Sequence, residues 1–149
     1  MMKKLFGAKH LQTLKTMGNL ASTYCQQGKL NEAEQLGVQV LNMRKKLLGA
    51  KHPDTFKTMG DLTNTYYHQG KLIEAEQLGV HVLDMRKTLI GAKHPETLTS
   101  MGDLASIYCH QGKLSEAEQL GVQVLDMRKK LLGVKHPDTL IAPGKHEIA

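Results

Sequence analysis

The residues best suited to chemistry in this chain are two cysteines and eight histidines. A catalytic cysteine needs a base beside it, and a third group usually orients that base. His68 and His110 are the candidate bases for Cys25 and Cys109, but nothing in the sequence would orient either imidazole. We therefore predict that the chain has no catalytic residues and is not an enzyme.

Four of the histidines belong to one recurring segment. His52, His94 and His136 each follow a lysine at intervals of 42 residues, and His10 lies in a diverged copy. A zinc site on a helix usually takes a second ligand from the next turn, and none of these histidines has a ligand-type residue four positions away. We interpret them as loop or helix-start residues. We predict no metal and no cofactor, since phosphate-loop and dinucleotide motifs are also missing.

The composition favours a stack of helices. Hydrophobic residues make up 40% of the 149 residues, but aromatic residues only 4%, and tryptophan is absent. No apolar run approaches the roughly 20 residues of a membrane span. The basic start MMKKLFGAKH lacks the apolar stretch of a secretory signal. Together with the low cysteine count, these features predict a cytoplasmic protein.

The interval of 42 residues is the period of an internal repeat. The segment from Ala50 to Gly91 recurs from Ala8 to Gly49 and from Ala92 to Gly133. The second and third copies agree at 30 of 42 positions, and the first and third at 33 of 42. We predict a single repeat domain over 1–149, made of the tail of a preceding repeat (1–7), three repeats (8–49, 50–91 and 92–133) and a truncated fourth repeat (134–149).

Each repeat is predicted to form two helices. In the first repeat, one face of the first helix carries apolar residues at helical spacing, and the helix ends at Gly28. The second helix has the same kind of spacing and ends at Gly49. The first face consists of Met17, Leu20, Ala21 and Tyr24, and the second of Leu30, Ala33, Leu36, Val40, Met43 and Leu47.

Capping boxes are predicted at two of the second helices. Asn31 with Glu34, and Ser115 with Glu118, have the spacing at which two side chains satisfy free N–H groups. Ile73 stands at the corresponding place in the second repeat. We therefore predict that this helix starts less firmly, by roughly 1 kcal/mol.

A single hairpin cannot bury both of its faces, so the copies should stack on one another. The predicted fold class is all-α, an α-solenoid of stacked antiparallel helical hairpins that forms a right-handed superhelix with one concave face. The outer face of the last second helix, around Leu120, Val124 and Leu131, is predicted to be poorly covered. An exposed apolar face of this kind predicts self-association into a homo-oligomer through the ends.

The repeats resemble the tetratricopeptide repeat family. Its hallmarks are Leu20, a small residue at Ala21, Tyr24, Gly28 and Ala33, and the same positions recur at Leu62, Thr63, Tyr66, Gly70, Ala75 and at Leu104, Ala105, Tyr108, Gly112, Ala117. The 42-residue length is similar to the variant found in kinesin light chains. The resemblance implies a scaffold for protein–protein interaction whose first helices line a concave groove.

From the resemblance, a protein or peptide partner is expected to bind small and polar residues on the flank of the first helices. The predicted groove residues are Lys15, Gly18, Ser22, Cys25 and Gln26 in the first repeat; Lys57, Gly60, Asn64, Tyr67 and His68 in the second; and Thr99, Gly102, Ser106, Cys109 and His110 in the third. Of the glycines inside helices, Gly37, Gly79 and Gly121 are assigned to close helix packing. Gly18, Gly60 and Gly102 allow either packing or close approach of a ligand.

Two alternatives stay open. The first is a structural, self-assembling array with no dedicated ligand site. The second is an anion-binding ridge, since basic clusters end the second helices and the net charge is +6. These clusters also suit the negative end of the helix dipole, and the lack of interleaved aromatic residues argues against nucleic acid. The ridge would comprise Arg44, Lys45, Lys46, Lys51, Arg86, Lys87, Lys93, Arg128, Lys129, Lys130 and Lys135.

Overall fold

The computed structural model describes the backbone of residues 2–132 and the side chains of residues 10–131. This part of the chain is all-α, with helices α1 (Met2–Gln26), α2 (Leu30–Leu48), α3 (Pro53–His68), α4 (Leu72–Leu89), α5 (Pro95–His110) and α6 (Leu114–Leu132). None of these helices is long and apolar enough to cross a membrane. The predicted fourth repeat, with Lys135 and His136, lies outside the described residues.

The helix boundaries follow the 42-residue period. The first helices of the second and third repeats begin at Pro53 and Pro95, and the second helices begin at Leu30, Leu72 and Leu114. Helix α1 departs from the period because it runs unbroken from Met2. Leu11 stands where the other copies have proline. Proline disfavours helical geometry in the residue before it, whereas leucine lets the helix continue through His10.

Two of the recurring histidines, His52 and His94, cap helices. His52 precedes α3, and its Nδ1 accepts a hydrogen bond from the Asp54 backbone N–H at 3.0 Å. His94 does the same for α5, accepting from the Glu96 N–H at 3.1 Å. The structure thus gives both histidines a role at a helix start, where the sequence had predicted one. Pro53 and Pro95 occupy first positions where no N–H is required.

The predicted capping boxes are wrong. Helix α2 begins at Leu30. Its N-cap residue is Lys29, whose side chain makes no capping hydrogen bond. Asn31 therefore lies inside the first turn, and Ser115 and Ile73 occupy the same place in their helices. Because none of these residues precedes its helix, the predicted weak start of the second repeat has no structural basis.

The described chain divides after Leu78 into two compact units. In the first unit, α1 packs on α2 and α2 packs on α3; in the second unit, α5 packs on α6. The buried hydrophobic residues of the first unit are Leu14, Ala33, Val40, Leu41, Phe56, Met59, Leu62 and Ala75, and those of the second are Val82, Leu83, Leu98, Met101, Leu104, Ile107 and Val124. The packing of successive helices confirms the predicted all-α repeat of helical hairpins.

Burial differs between copies of the same residue. Leu62 and Leu104 are each 4% exposed, whereas Leu20, at the equivalent place on α1, is 42% exposed. Val124 is buried at 3% exposure, so the prediction that it lies on an uncovered outer face of α6 is wrong. Leu131 is exposed as predicted.

The contact between α2 and α3 is the junction between the first two repeats. Leu62 packs over Gly37, where an added Cβ would lie 3.3 Å from the leucine Cδ1. The predicted reason for Gly37, close packing, is therefore confirmed. Arg44 Nη1 donates to Thr58 Oγ1 at 2.8 Å and to the Asp54 carbonyl at 3.3 Å.

The other end of this junction is polar. The Glu34 carboxylate accepts from Gln69 Nε2 at 2.9 Å and from Lys71 Nζ at 2.7 Å. The hydrogen bonds from Lys71 and Gln69 hold the pKa of Glu34 below its usual value, and the hydrogen bond to Glu34 raises the pKa of Lys71. Glu34, Gly37 and Arg44 on one side, with Thr58, Leu62, Gln69 and Lys71 on the other, are called the junction residues below.

The ion pair between Glu34 and Lys71 predicts that the stability of the protein falls at low pH. A carboxylate whose folded pKa is lowered adds stability above its unfolded pKa, near 4.3, and loses it as the pH falls through the folded pKa. At neutral pH, Glu34→Gln should therefore lower the urea midpoint, and the difference from the wild type should shrink as the pH falls through the lowered pKa of Glu34. The control is Glu32→Gln, an exposed neighbour on the same helix. An equal pH dependence in both variants would contradict this assignment.

Candidate peptide-binding groove

Helices α1, α2 and α3 enclose a groove of about 740 Å³ in the first unit. One wall is α1, the opposite wall is α3, and α2 forms the floor. The groove can form because α1 and α3 both pack on α2 while approaching each other only slightly. The positions of polar residues in the first helices therefore decide what lines its walls.

Seven of the predicted groove residues are brought together here. Helix α1 contributes all five of its predicted residues to the lining, and α3 contributes two. Their side chains or backbone lie on the two walls, with Lys15 and Lys57 exposed and Ser22 and Cys25 partly covered. The seven residues are Lys15, Gly18, Ser22, Cys25, Gln26, Lys57 and Asn64.

The other predicted residues of α3 do not line this groove. Tyr67 and His68 instead contact each other edge to face, with ring centroids 5.3 Å apart. Gly60 is partly covered and lies on the same helix, also outside the lining. Tyr67 and His68 follow Thr65, the last residue of α3 that lines the groove, whereas Gly60 lies between lining residues.

The five predicted residues of the third repeat lie on α5 in the second unit. Four of them have exposed side chains and Gly102 is partly covered. The Thr99 hydroxyl donates to the Pro95 carbonyl at 3.0 Å, and His110 Nδ1 lies 3.0 Å from the Ser106 carbonyl oxygen. The exposed residues are Thr99, Ser106, Cys109 and His110.

The floor of the groove was not predicted. Ala33, Gly37 and Val40 line it from α2, and Leu62 and Thr65 line it from the base of α3. The sequence did contain the signal, since Ala33 and Gly37 are small residues one turn apart on the apolar face of α2. We assigned them to packing alone, yet the same small side chains that let α3 approach also leave open space between the walls.

Gly18 and Gly102 lie inside helices but differ from Gly37 in the space around them. A Cβ built at Gly18 or at Gly102 meets no other atom within 4 Å. Helix packing therefore does not require glycine at either place. Gly18 lies on the groove wall, and the close approach of a ligand there stays a prediction.

Charges of both signs surround the groove. Lys57 and Asp61 form an exposed ion pair at 3.6 Å on α3, and Lys15 lines the groove from α1. Arg44 lies at one end but is bonded to Thr58. Two arginines of the predicted anion-binding ridge are thus engaged in structure, because Arg86 likewise donates to Ser100 Oγ at 2.7 Å.

The described residues offer little for covalent or metal chemistry. Both cysteines are free thiols, with Cys25 partly covered and Cys109 exposed. No three His, Cys, Asp or Glu side chains among the described residues are grouped as a metal ion would require. The groove presents hydrogen-bonding groups, an apolar floor and charges of both signs.

The sequence pattern of the tetratricopeptide repeat family matches residues 1–46, 12–88 and 64–130. The chain belongs to this family. Repeats of this family generally mediate protein–protein interaction or assembly, and such proteins are typically scaffolds without enzymatic activity. A comparison with curated proteins gave no match.

Kinesin light chain-like repeats are among the solved structures that this chain resembles. The chain is similar to the nearly identical TPR-like repeats of a kinesin light chain-like protein from Podosopora anserina, with 31% identity and a TM-score of 0.80 over 87% of this chain and 62% of that one. The Q17M form of the same repeats gives 31% identity and a TM-score of 0.80 over 89% and 63%. BtubC (BKLC) from P. vanneervenii shares the fold, with 21% identity and a TM-score of 0.71 over 84% and 49%. The chain thus spans less than two thirds of each structure.

Proposed function

We propose that this chain is a protein–protein interaction scaffold that binds an extended peptide segment in the groove between α1 and α3. The observation that carries the proposal is the groove itself, in which seven polar or small residues from two helices surround an apolar floor. Ser22, Gln26 and Asn64 supply hydrogen-bonding groups for a peptide backbone. Gly18 supplies the open space in which that backbone can approach α1.

An apolar side chain of the partner would lie on the floor formed by Ala33, Gly37 and Val40. Burying one such side chain contributes about 1.5–3 kcal/mol. Lys15 on one wall and the Lys57–Asp61 pair on the other would contact flanking charges of the partner at the rim. Because the rim is exposed, these charges affect the association rate and the choice of partner more than the affinity.

The test is selection of peptides from a random library on the full chain, followed by affinity measurements on variants. Ser22→Arg places a long cation in the groove and should weaken the selected peptides at least tenfold, about 1.4 kcal/mol. Gln39→Arg is the matched control, since Gln39 is exposed on α2 and does not line the groove. Peptides that bind both variants equally well would refute this site.

Gly18→Ala separates binding from stability. Alanine is the better helix former by about 1 kcal/mol, and the added Cβ meets no atom within 4 Å. We therefore expect a higher unfolding midpoint together with weaker peptide binding. Gly102→Ala, on α5, should raise the midpoint in the same way and leave binding in this groove unchanged. A Gly18→Ala variant that binds as well as the wild type would mean that the peptide backbone does not approach α1 there.

A further inference from the structure

We propose that copies of this chain associate end to end, with the exposed face of α1 in one copy packed on the face of α6 that carries Ala117 and Gly121 in the next. The contact would be a second instance of the junction between α2 and α3. It uses a different surface from the proposed groove. The partner is therefore a second copy of this chain.

The exposed face of α1 carries the same residue types as the junction, but its residues are less buried than their equivalents. Leu20 is 42% exposed, against 4% for its equivalents Leu62 and Leu104. Met17 is only partly covered, whereas Met59 and Met101 are 1% and 4% exposed. Residues that are core elsewhere in the chain are thus left at the surface on α1.

The face of α6 shows the complementary pattern. Ala33 and Ala75 are 1% and 0% exposed, while Ala117 is partly covered. Gly37 and Gly79 are buried, and Gly121 is partly covered. In the first unit, Gly37 is the position over which a leucine of the following first helix packs. Gly121 is thus the equivalent position on α6, and it is covered less than Gly37.

Every junction residue recurs on the two faces with its type unchanged. On α6, Glu118, Gly121 and Arg128 stand at the places of Glu34, Gly37 and Arg44; on α1 and the turn after it, Thr16, Leu20, Gln27 and Lys29 stand at the places of Thr58, Leu62, Gln69 and Lys71. A second copy could therefore make the Arg–Thr, Gly–Leu and Glu–Gln–Lys contacts of the existing junction.

The segment that follows α6 in the sequence lacks some of these types. In the 42-residue register, Ala142 stands at the place of Thr58 and His146 at the place of Leu62. These two places therefore carry neither the hydroxyl nor the leucine of the junction. A second copy offers both, as Thr16 and Leu20, which favours the intermolecular contact.

Such an interface is heterologous, because each copy uses two different faces. The average mass of the full chain in light scattering should therefore rise above 16.5 kDa as its concentration is raised from about 1 to about 300 μM. Leu20→Arg blocks the α1 face and Gly121→Arg blocks the α6 face, and each variant alone should stay monomeric. An equimolar mixture should form a dimer that does not grow, because each variant keeps one intact face.

Leu47→Arg is the matched control, since Leu47 is 41% exposed and is not a junction residue; this variant should associate like the wild type. Arg128→Glu replaces Gly121→Arg if circular dichroism shows that the latter does not fold. The proposal is overturned if the wild type keeps its monomer mass at every concentration, if either blocking variant still associates alone, or if the folded variants fail to form a dimer together.

Discussion

Met59→Ala is expected to lower the free energy of unfolding by about 3 kcal/mol. Met59 is 1% exposed and among the largest fully buried side chains described in the chain. Its truncation removes apolar contacts and leaves a cavity, and such changes cost about 2–5 kcal/mol. Because a repeat protein's stability is a sum of local and nearest-neighbour terms, the loss should also affect the first repeat, whose helix α2 packs on α3. Urea unfolding followed by circular dichroism measures it.

The repeats provide an internal comparison for this substitution. Met101, at the equivalent place on α5, is 4% exposed and should show a similar loss. Met17 is equivalent in sequence but only partly covered, so Met17→Ala should cost about 1 kcal/mol, measured at low concentration to avoid association. Equal losses of unfolding free energy for Met17→Ala and Met59→Ala would contradict the difference in burial between these two residues.

Arg44→Met is expected to cost about 2 kcal/mol of stability. The guanidinium donates to Thr58 Oγ1 at 2.8 Å and to the Asp54 carbonyl at 3.3 Å, and so connects α2 to the first two turns of α3. Hydrogen bonds from a charged donor contribute about 1.5–3 kcal/mol. Methionine retains much of the apolar stem, so the loss would come mainly from the missing bonds.

Lys45→Met is the control for Arg44→Met. Lys45 is the adjacent cation in the last turn of α2 and its side chain is exposed. Its loss should change stability by no more than about 0.5 kcal/mol. Arg86→Met should repeat the effect of Arg44→Met in the second unit, since Arg86 donates to Ser100 Oγ at 2.7 Å. If Arg44→Met and Lys45→Met lower the free energy of unfolding by equally small amounts, the arginines act only as cations at the helix ends.

Much of the local structure could be predicted from single residues. Gly28 and Gly49 end their helices with φ of 81° and 96°, as glycine's freedom at positive φ leads one to expect. The capping boxes failed for one local and one tertiary reason. The helices start earlier than the polar pattern indicates, and the Glu34 carboxylate is bonded to Gln69 and Lys71.

The candidate groove was predictable only in part. Helical spacing placed Lys15, Gly18 and Ser22 on one flank of α1, and the structure places them on one wall. The same spacing included Tyr67 and His68, which the groove does not reach. The extent of the groove depends on how far apart α1 and α3 lie where both pack on α2. The spacing of residues within one helix does not determine that separation.

The sequence by itself determined the number of hairpins in the described chain, the ends of most of its helices and the family to which it belongs. These follow from contacts within about four residues and from a period that repeats them. Tertiary structure decided which copy of a residue is buried. Met17 and Met59, or Leu20 and Leu62, have similar local sequences, but their environment is set by helices distant in the chain. Only packing between helices could also direct Arg44 to Thr58, because that bond joins residues on different repeats.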